Sequence, residues 1–234
     1  MPGFSIEPSP FGRIVVAPEV PAGHRLFYTT RDYEGAIDES LERFVGLPVA
    51  HCKQVHGVTV VGRTPCAPTG KADAADPAGR GARRAPTECD ALWSDVPAAL
   101  AIKIADCLPV SLIGGTFIAN IHAGWRGAAQ GIVDVTLDTL GVTDISAWLG
   151  PSIRVCCFEV GEEVAEQFPA EFVARDKAKP HVDLAAYVAG RLRARGVAHV
   201  YDSGLCTRCD GSIFHSYRRD GRGGGRNLAI LAKY

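Results

Sequence analysis

The apolar positions of the chain form short runs separated by polar and glycine-rich breaks, most clearly between residues 99 and 127. The first run there ends at Asp106-Cys107, the second covers 109–113, and the third ends at His122. Short continuous apolar runs bounded by turn residues are typical of buried strands. The segment therefore predicts three consecutive strands, two of which end in reactive side chains, followed by the start of a helix.

The same pattern predicts further elements on both sides of this segment. Strands are predicted at 13–17, 24–30, 58–61, 145–149, 197–201, 213–217 and 228–231. Apolar residues at helical spacing predict helices at 38–45, 128–141, 162–168 and 183–195, the last with Asp183 as its N-cap. Because helices and strands interleave along the chain, we expect a layered fold with a mixed β-sheet.

Composition narrows the class of protein. The 234 residues suffice for one domain, and we expect a single domain over 1–234. Apolar content of 47% and charged content of 22% are those of an ordinary globular protein. With a net charge of −1, neither a nucleic-acid nor a membrane partner is expected. The N-terminus has no secretory signal pattern and no apolar run reaches the ~20 residues of a membrane span, which predicts a cytoplasmic protein.

Three residues at the ends of β-rich runs have the chemistry of a metal centre. Cys107, His122 and, from an earlier segment, His56 form a Cys-His-His set that suits zinc and leaves a fourth position open for water or substrate. No pair of them has a short metal-binding spacing, so a metal-free interpretation stays open. In it, Cys107 is a nucleophile, His122 its base, and Asp106 or another acid the group that orients the base.

Two other features concern anions and thiols. Arg126 lies between glycines at a predicted helix start, where backbone N–H groups and a guanidinium favour phosphate or carboxylate. Cys206 and Cys209 form one C-x-x-C pair, which supplies only half of the ligands of a structural zinc site. Cys156 and Cys157 could supply the other half only if the fold brings them close to this pair. We interpret the pair as two unlinked thiols in a loop.

Several collinear blocks of the chain together resemble one family. They are KQVHG (53–57), CDALWSD (89–95), ADCLPV (105–110), HAGWRG (122–127), WLGPSIRVCCFEVGEEV (148–164), SGLCTRCD (203–210) and FHSYRRDG (214–221). The sequence resembles the YfiH/laccase-domain proteins, a family also called polyphenol oxidase, purine nucleoside phosphorylase or peptidoglycan editing factor. The segment after Thr29-Thr30-Arg31 departs from the family pattern.

The resemblance implies a fold, a metal and an activity. The implied fold is α+β, a single three-layer α/β/α domain with a mixed β-sheet, similar to some toxin cysteine deamidases. The implied ligands of a Zn²⁺ ion are His56, Cys107 and His122, the same three residues that the strand ends indicate. The implied activities are phosphorolysis of adenosine, inosine and methylthioadenosine, and deamination of adenosine.

These implications assign roles to individual residues. We expect catalytic roles for Asp106, Cys107 and His122, with Asp106 moving protons during deamination. Arg126 and Gln54 are expected to bind substrate or phosphate. The long stretch 62–88, rich in Pro, Gly, Ala and Arg, is expected to be an exposed loop near the mouth of this site.

Alternative functions also follow from these residues. One is a metal-free cysteine hydrolase or amidase acting on cell-wall precursors, and another is a non-enzymatic partner of the cell-wall machinery. A multicopper laccase is rejected, because the chain has seven histidines, no His-x-His pair and a single methionine at position 1. The expected partners are a purine nucleoside and phosphate, with the chain acting as a monomer or homodimer.

Overall fold

The computed structural model describes residues 3–33, 37–62, 87–141 and 143–234. Its strands are β1 (Ser5–Ser9), β2 (Gly12–Val16), β3 (His24–Thr29), β4 (Val49–His51), β5 (Val60–Gly62), β6 (Ala91–Ser94), β7 (Ala98–Ile104), β8 (Leu108–Gly114), β9 (Phe117–Ala123), β10 (Ile145–Leu149), β11 (Val173–Ala174), β12 (His181–Val182), β13 (His199–Asp202) and β14 (Asn227–Lys233). Its α-helices are α1 (Glu39–Val45), α2 (Trp125–Ala129), α3 (Ile132–Leu140), α4 (Glu162–Ala165), α5 (Leu184–Ala194) and α6 (Tyr217–Asp220).

The strands form two six-stranded sheets and one two-stranded pair. Sheet I has the order β1-β2-β3-β14-β7-β4, and sheet II has the order β13-β10-β8-β9-β6-β5. Both sheets are mixed, because β4 runs parallel to β7 in sheet I, while β10 is parallel to β13 and β5 to β6 in sheet II. The predicted mixed α/β fold is confirmed. The structure adds that the strands divide between two sheets, where the pattern and the resemblance predicted one.

The division follows from the alternation of side chains along each strand. In β7, Leu100 and Ile102 face sheet II and pack with Ile118 and Trp148, whereas Ala99 and Ala101 face α1. In sheet II the other face of β8 and β9 packs against apolar residues of α3 and α5. The core therefore has three apolar layers: one between the sheets and one beneath the helices on each outer face.

A buried polar group crosses the layer between the sheets. Asn120 of β9 donates from Nδ2 to the carbonyl oxygens of Leu100 (3.1 Å) and Ala229 (3.0 Å), which belong to two strands of sheet I. Its Oδ1 accepts a hydrogen bond from Ser111 Oγ at 3.0 Å. Both N–H groups and the carbonyl oxygen of the Asn120 side chain therefore have protein partners. These bonds fix sheet II against sheet I at one position.

Local signals set several element boundaries. Asp38 caps α1 by accepting from the backbone N–H groups of Ser40 and Leu41, and Gly46 ends the helix in a left-handed conformation (φ 81°). Asp183 caps α5 as predicted, through the N–H of Ala186. No helix among the described residues combines the length and apolar character that a membrane crossing requires.

The predicted strand at 213–217 is wrong, because the segment forms a turn held by Asp210 O and then enters α6, with Ser216 as the N-cap. Phe214 gives the segment its apolar character by inserting into the layer between the sheets. Of the predicted loop at 62–88, residues 63–86 lie outside the described part of the chain.

Candidate active site

Three residues from distant parts of the chain meet where the two sheets are joined. His56 lies in the connection from β4 of sheet I to β5 of sheet II, and Cys107 lies between β7 of sheet I and β8 of sheet II. His122 is on β9, where it is paired with Pro109 of β8. The ligand atoms of the three residues lie within 4.8 Å of one another, so the group can hold a metal ion.

The side chain of Asp90 forms hydrogen bonds that position both His122 and His56. Its carboxylate is fully buried, and Oδ1 lies 2.8 Å from Nδ1 of His122. The same carboxylate accepts the backbone N–H of His56 at 2.9 Å and that of Gly57 at 2.7 Å. The bonds hold His56 in a left-handed backbone conformation (φ 61°), which a non-glycine residue adopts rarely. Because Nδ1 of His122 faces Asp90, its Nε2 is the atom available to a metal.

The protonation states of this group are coupled. Burial raises the pKa of the Cys107 thiol, but hydrogen bonds with His122 and His56 outweigh it and lower the pKa to about 6. Burial acts to lower the pKa of His122, but hydrogen bonds with Asp90 and Cys107 raise it to about 9. Without a metal, Cys107 and His122 therefore form a thiolate–imidazolium pair at neutral pH. A metal ion bound here would take the place of the shared proton, since metal ions bind the thiolate and the neutral imidazole.

The backbone beside the group fits a bound ion. A Cβ atom at Gly124 would lie 3.2 Å from Cδ2 of His56 and 3.3 Å from Sγ of Cys107. Glycine therefore lets the chain pass directly beside the side chains of two of the three ligand residues. One thiolate and two imidazoles are a donor set for zinc or another borderline-soft metal, and three protein ligands are the usual number in a catalytic zinc site.

The group opens into a cavity of about 1090 Å³. This volume is at or above the roughly 300–1,000 Å³ of typical small-molecule sites. Its wall carries three aromatic side chains, Trp125, Phe158 and Tyr217. Its charged lining comprises six cations and two carboxylates: Lys53, Lys103, Arg126, Lys179, Arg218 and Arg226 against Asp106 and Glu159. A protein of net charge −1 thus concentrates positive charge at this cavity.

The structure brings all of the predicted site residues to this cavity. Arg126 extends over the ring of Trp125, with Cζ 4.3 Å from the ring centroid, and makes no ion pair with any described residue. Gln54 lines the cavity, but its amide bonds the backbone of Lys103, donating to O at 2.8 Å and accepting from N at 2.9 Å. Toward a ligand, Gln54 therefore keeps one N–H donor and one lone pair on Oε1.

Asp106 is held more tightly than the sequence indicates. Its backbone is left-handed (φ 87°), and the residue is only 9% exposed. Oδ1 accepts from Thr207 Oγ1 at 2.7 Å, and Oδ2 accepts from the backbone N–H of Arg218 at 2.6 Å. Asp106 therefore joins the metal-ligand loop to two segments near the C-terminus while still facing the cavity.

Comparison with known proteins places this geometry in a family. The family model described as multi-copper polyphenol oxidoreductase laccase matches residues 23–233. The chain belongs to this laccase-domain family. Its resemblance to YfiH proteins is thereby confirmed, since YfiH proteins are among the relatives that match.

Relatives in the laccase-domain family bear enzyme names. A Pseudomonas aeruginosa protein named purine nucleoside phosphorylase is 40% identical over 184 residues, which cover 73% of this chain and 69% of the relative. A protein of an unknown prokaryote named adenosine deaminase is 37% identical over 146 residues, 55% of this chain and 56% of the relative. The crystal structure of a Neisseria meningitidis protein, 27% identical, covers 99% of both chains with a TM-score of 0.77.

Two features of the sites in this laccase-domain chain could not be predicted from its sequence. Asp90 has no signal beyond its place in the CDALWSD block, between a buried cysteine and a strand. Cys206 and Cys209, interpreted from the sequence as unlinked thiols, are free thiols in the structure, but the fold also brings Cys156 and Cys157 against them. The physical reason is that β10 and β13 are parallel neighbours, so the turns that follow them meet at one edge of sheet II.

Proposed function

We propose that the protein is a zinc-dependent purine nucleoside phosphorylase that cleaves adenosine, inosine and methylthioadenosine and also deaminates adenosine. The observation that carries the proposal is the junction of the His56–Cys107–His122 group with a cation-rich, aromatic cavity. A nucleoside needs an aromatic surface for its base, and phosphate needs positive charge. The names of the relatives agree with this chemistry.

The residues of the metal group prepare the reacting centre. His56, Cys107 and His122 hold the ion, and Asp90 fixes the tautomer and orientation of His122. When bound there, zinc supplies Lewis acidity that lowers the pKa of a water molecule. Asp106, which lines the cavity, would accept a proton and return it to the purine ring during deamination. Its two hydrogen bonds leave further lone pairs on both carboxylate oxygens, so it retains the capacity to accept a proton.

Phosphorolysis uses the other wall of the cavity. A phosphate oxygen attacks C1′ of the ribose, the bond from C1′ to the base nitrogen breaks, and the base leaves with the bonding electrons. Arg126 binds two phosphate oxygens through its planar guanidinium. The remaining N–H of Gln54 donates a hydrogen bond to the substrate. Trp125, Phe158 and Tyr217 provide the apolar surface for the purine.

The ligand set distinguishes this proposal from a laccase. His₂Cys is also the equatorial set of a blue-copper site, but a multicopper oxidase adds a histidine-rich trinuclear cluster. All seven histidines lie among the described residues, and only His56 and His122 fall in a group that can hold a metal there. This supports a single catalytic ion and a non-oxidative reaction.

The test is incubation of the purified, zinc-loaded protein with adenosine, with and without phosphate. We expect phosphate-dependent release of adenine, phosphate-independent formation of inosine, and loss of both in Cys107→Ala. Thr139→Ala is the control, because it removes an exposed hydroxyl that does not line the cavity. If neither adenine nor inosine forms with zinc present, the proposal fails.

A second function is favoured by one specific observation. Cys107, His122 and Asp90 form a thiolate–imidazole–carboxylate chain, which is the arrangement of a cysteine hydrolase. In that case the orienting acid is Asp90 and not Asp106. An amidase of this kind stays active after exhaustive chelation and is inactivated by a thiol alkylator, whereas the phosphorylase is inactivated by chelation.

A further inference from the structure

Four cysteines gather at the edge of sheet II, apart from the His56–Cys107–His122 group. Cys156 and Cys157 follow β10, and Cys206 and Cys209 follow β13. All four sulfur atoms lie within 4.8 Å of one another. The separations are 3.7 Å for Cys156–Cys157, 3.7 Å for Cys156–Cys209 and 3.3 Å for Cys157–Cys209.

These separations match a metal centre and exclude disulfides. A disulfide requires sulfur atoms about 2.05 Å apart, and every one of the four cysteines is a free thiol. Four thiolates around zinc, each at about 2.3 Å, lie at the corners of a tetrahedron whose edges are about 3.8 Å. Two of the three separations agree with that edge to about 0.1 Å. A tetrahedral S₄ set is diagnostic of zinc or of an iron–sulfur centre.

The backbone around the cysteines is arranged for thiolates. Backbone N–H groups of Cys209, Arg154 and Arg208 are directed at the sulfur of Cys206. Arg208 lies between Cys206 and Cys209 in the chain, so the same turn carries a cation. Hydrogen bonds to the sulfur atoms and a nearby cation stabilise the two negative charges that remain when four thiolates bind one divalent ion.

We propose that Cys156, Cys157, Cys206 and Cys209 bind one Zn²⁺ ion in a second, structural metal site. All four positions are filled by protein, so the site has no place for substrate and no catalytic role. It fastens the turns after two parallel strands, β10 and β13, which other hydrogen bonds already join: Ser152 N donates to Leu205 O at 3.2 Å, and Thr207 N donates to Ser152 O at 3.0 Å.

The second site is connected to the cavity through Thr207 and Asp106. Thr207 lies between Cys206 and Cys209, and its hydroxyl donates to Asp106. The ion therefore acts on Asp106 as a positioning element, by fixing the turn that carries Thr207. This inference does not depend on the proposed enzymatic activity, because the four cysteines and their geometry are separate from the His56–Cys107–His122 group.

Metal content measured by mass spectrometry of the purified full chain tests the site. We expect the double variant Cys206→Ser/Cys209→Ser to hold one equivalent of zinc less than wild type. The quadruple variant Cys107→Ser/Cys156→Ser/Cys206→Ser/Cys209→Ser should hold no zinc. Cys52→Ser is the matched control and should keep the wild-type content, since Cys52 belongs to neither group. Equal zinc in wild type and the double variant overturns the proposal, as does iron in place of zinc.

Two further measurements guard against a variant that does not fold. Cys156→Ser changes a single exposed side chain, and Co²⁺ substitution should show a weaker sulfur-to-metal charge-transfer band than in wild type. Thiol titration of the chelated, denatured wild type should find all eight cysteines free. A count of six indicates a disulfide and contradicts the metal site. Loss of the His56–Cys107–His122 ion alone leaves the second equivalent in place, so the two proposals fail separately.

Discussion

Asp90 Oδ1 lies 2.8 Å from Nδ1 of His122, and the two side chains are 0% and 3% exposed. The carboxylate lies outside the metal group, yet it determines which imidazole nitrogen of His122 faces Cys107. It also holds the backbone of His56, so that one buried acid positions two of the three ligands.

Replacement of this acid should weaken metal binding. In Asp90→Asn the amide places an N–H donor against the N–H of Gly57 or the ring of His122, so one hydrogen bond is lost. We expect zinc affinity to fall roughly 10- to 100-fold, as for other outer partners of metal-bound histidines. Competition with a chromophoric chelator measures it. Asp138→Asn is the control, because Asp138 is exposed and its ion pair among the described residues is with Arg195. Unchanged affinity in Asp90→Asn would contradict this role.

A methyl group at Gly124 should disturb the same centre from another side. Its Cβ would lie 3.2–3.3 Å from His56 and Cys107, closer than ordinary contact, so at least one ligand must shift. Gly124→Ala should therefore bind zinc more weakly while folding normally by circular dichroism. Gly223→Ala is the matched control, since its Cβ would meet nothing within 4 Å. Equal zinc affinity in both variants would show that the ligands tolerate the methyl group.

Arg126 should govern phosphate affinity. Loss of a charge-assisted, two-point contact costs roughly 1.5–3 kcal/mol, which corresponds to about a 10- to 100-fold rise in KM for phosphate in Arg126→Ala. Arg126→Lys should recover part of the loss, because a lysine keeps the charge but not the planar fork. Arg222→Ala provides the control, as Arg222 does not line the cavity. A change in KM for adenosine alone would argue that Arg126 binds the nucleoside instead.

Asn120 should matter for stability and not for chemistry. In Asn120→Ala the carbonyl groups of Leu100 and Ala229 lose their donor inside the apolar layer between the sheets. An unsatisfied buried polar group costs roughly 1–3 kcal/mol, so the free energy of unfolding in urea should fall by at least that amount. Thr139→Ala, which removes an exposed hydroxyl, should change it far less. A loss of less than about 0.5 kcal/mol would show that the sheets repack without this bridge.

Asp220 should contribute to the pH dependence of stability. A hydrogen bond from Arg219, and then one from the backbone of Ser216, lower the pKa of Asp220 to about 2. A carboxyl whose pKa is lower in the folded than in the unfolded state stabilises the fold fully above the unfolded value, about 3.9. The stability difference between wild type and Asp220→Asn should therefore be constant above about pH 5. It should shrink as the pH falls from about 4 to about 2. Urea unfolding across this range measures it, and a constant difference down to pH 2 would contradict the lowered pKa.

Much of this fold can be predicted from the sequence, because many of its elements are determined by local patterns of apolar and capping residues. The predicted strand at 145–149 coincides with β10, and Asp38 and Asp183 cap the helices that their spacing indicates. The division into two sheets depends instead on pairings between distant segments, such as β14 with β3 and with β7, which leave no local signal. The segment at 213–217 misleads because Phe214 is buried from a turn and not from a strand.

The site shows the same limit. Cys107 and His122 are predictable because each interrupts or follows an apolar run with a reactive group, and the pairing of β8 with β9 brings them together. Asp90 is not predictable, since a single acid beside a strand has many possible partners until the fold is known. The four cysteines after β10 and β13 come from segments about fifty residues apart, and only the parallel pairing of those strands makes them neighbours.

The position of the metal group at the joint between the sheets has a thermodynamic consequence. His56 and Cys107 lie in the two connections that lead from sheet I to sheet II, whereas His122 belongs to sheet II itself. An ion held by all three binds only molecules in which the sheets have docked in their native alignment. Metal affinity and resistance to unfolding are therefore linked quantities, and added zinc should raise the melting temperature with a dependence on its free concentration. An ion that serves the proposed reaction would thus also select the correctly assembled pair of sheets from the folding ensemble.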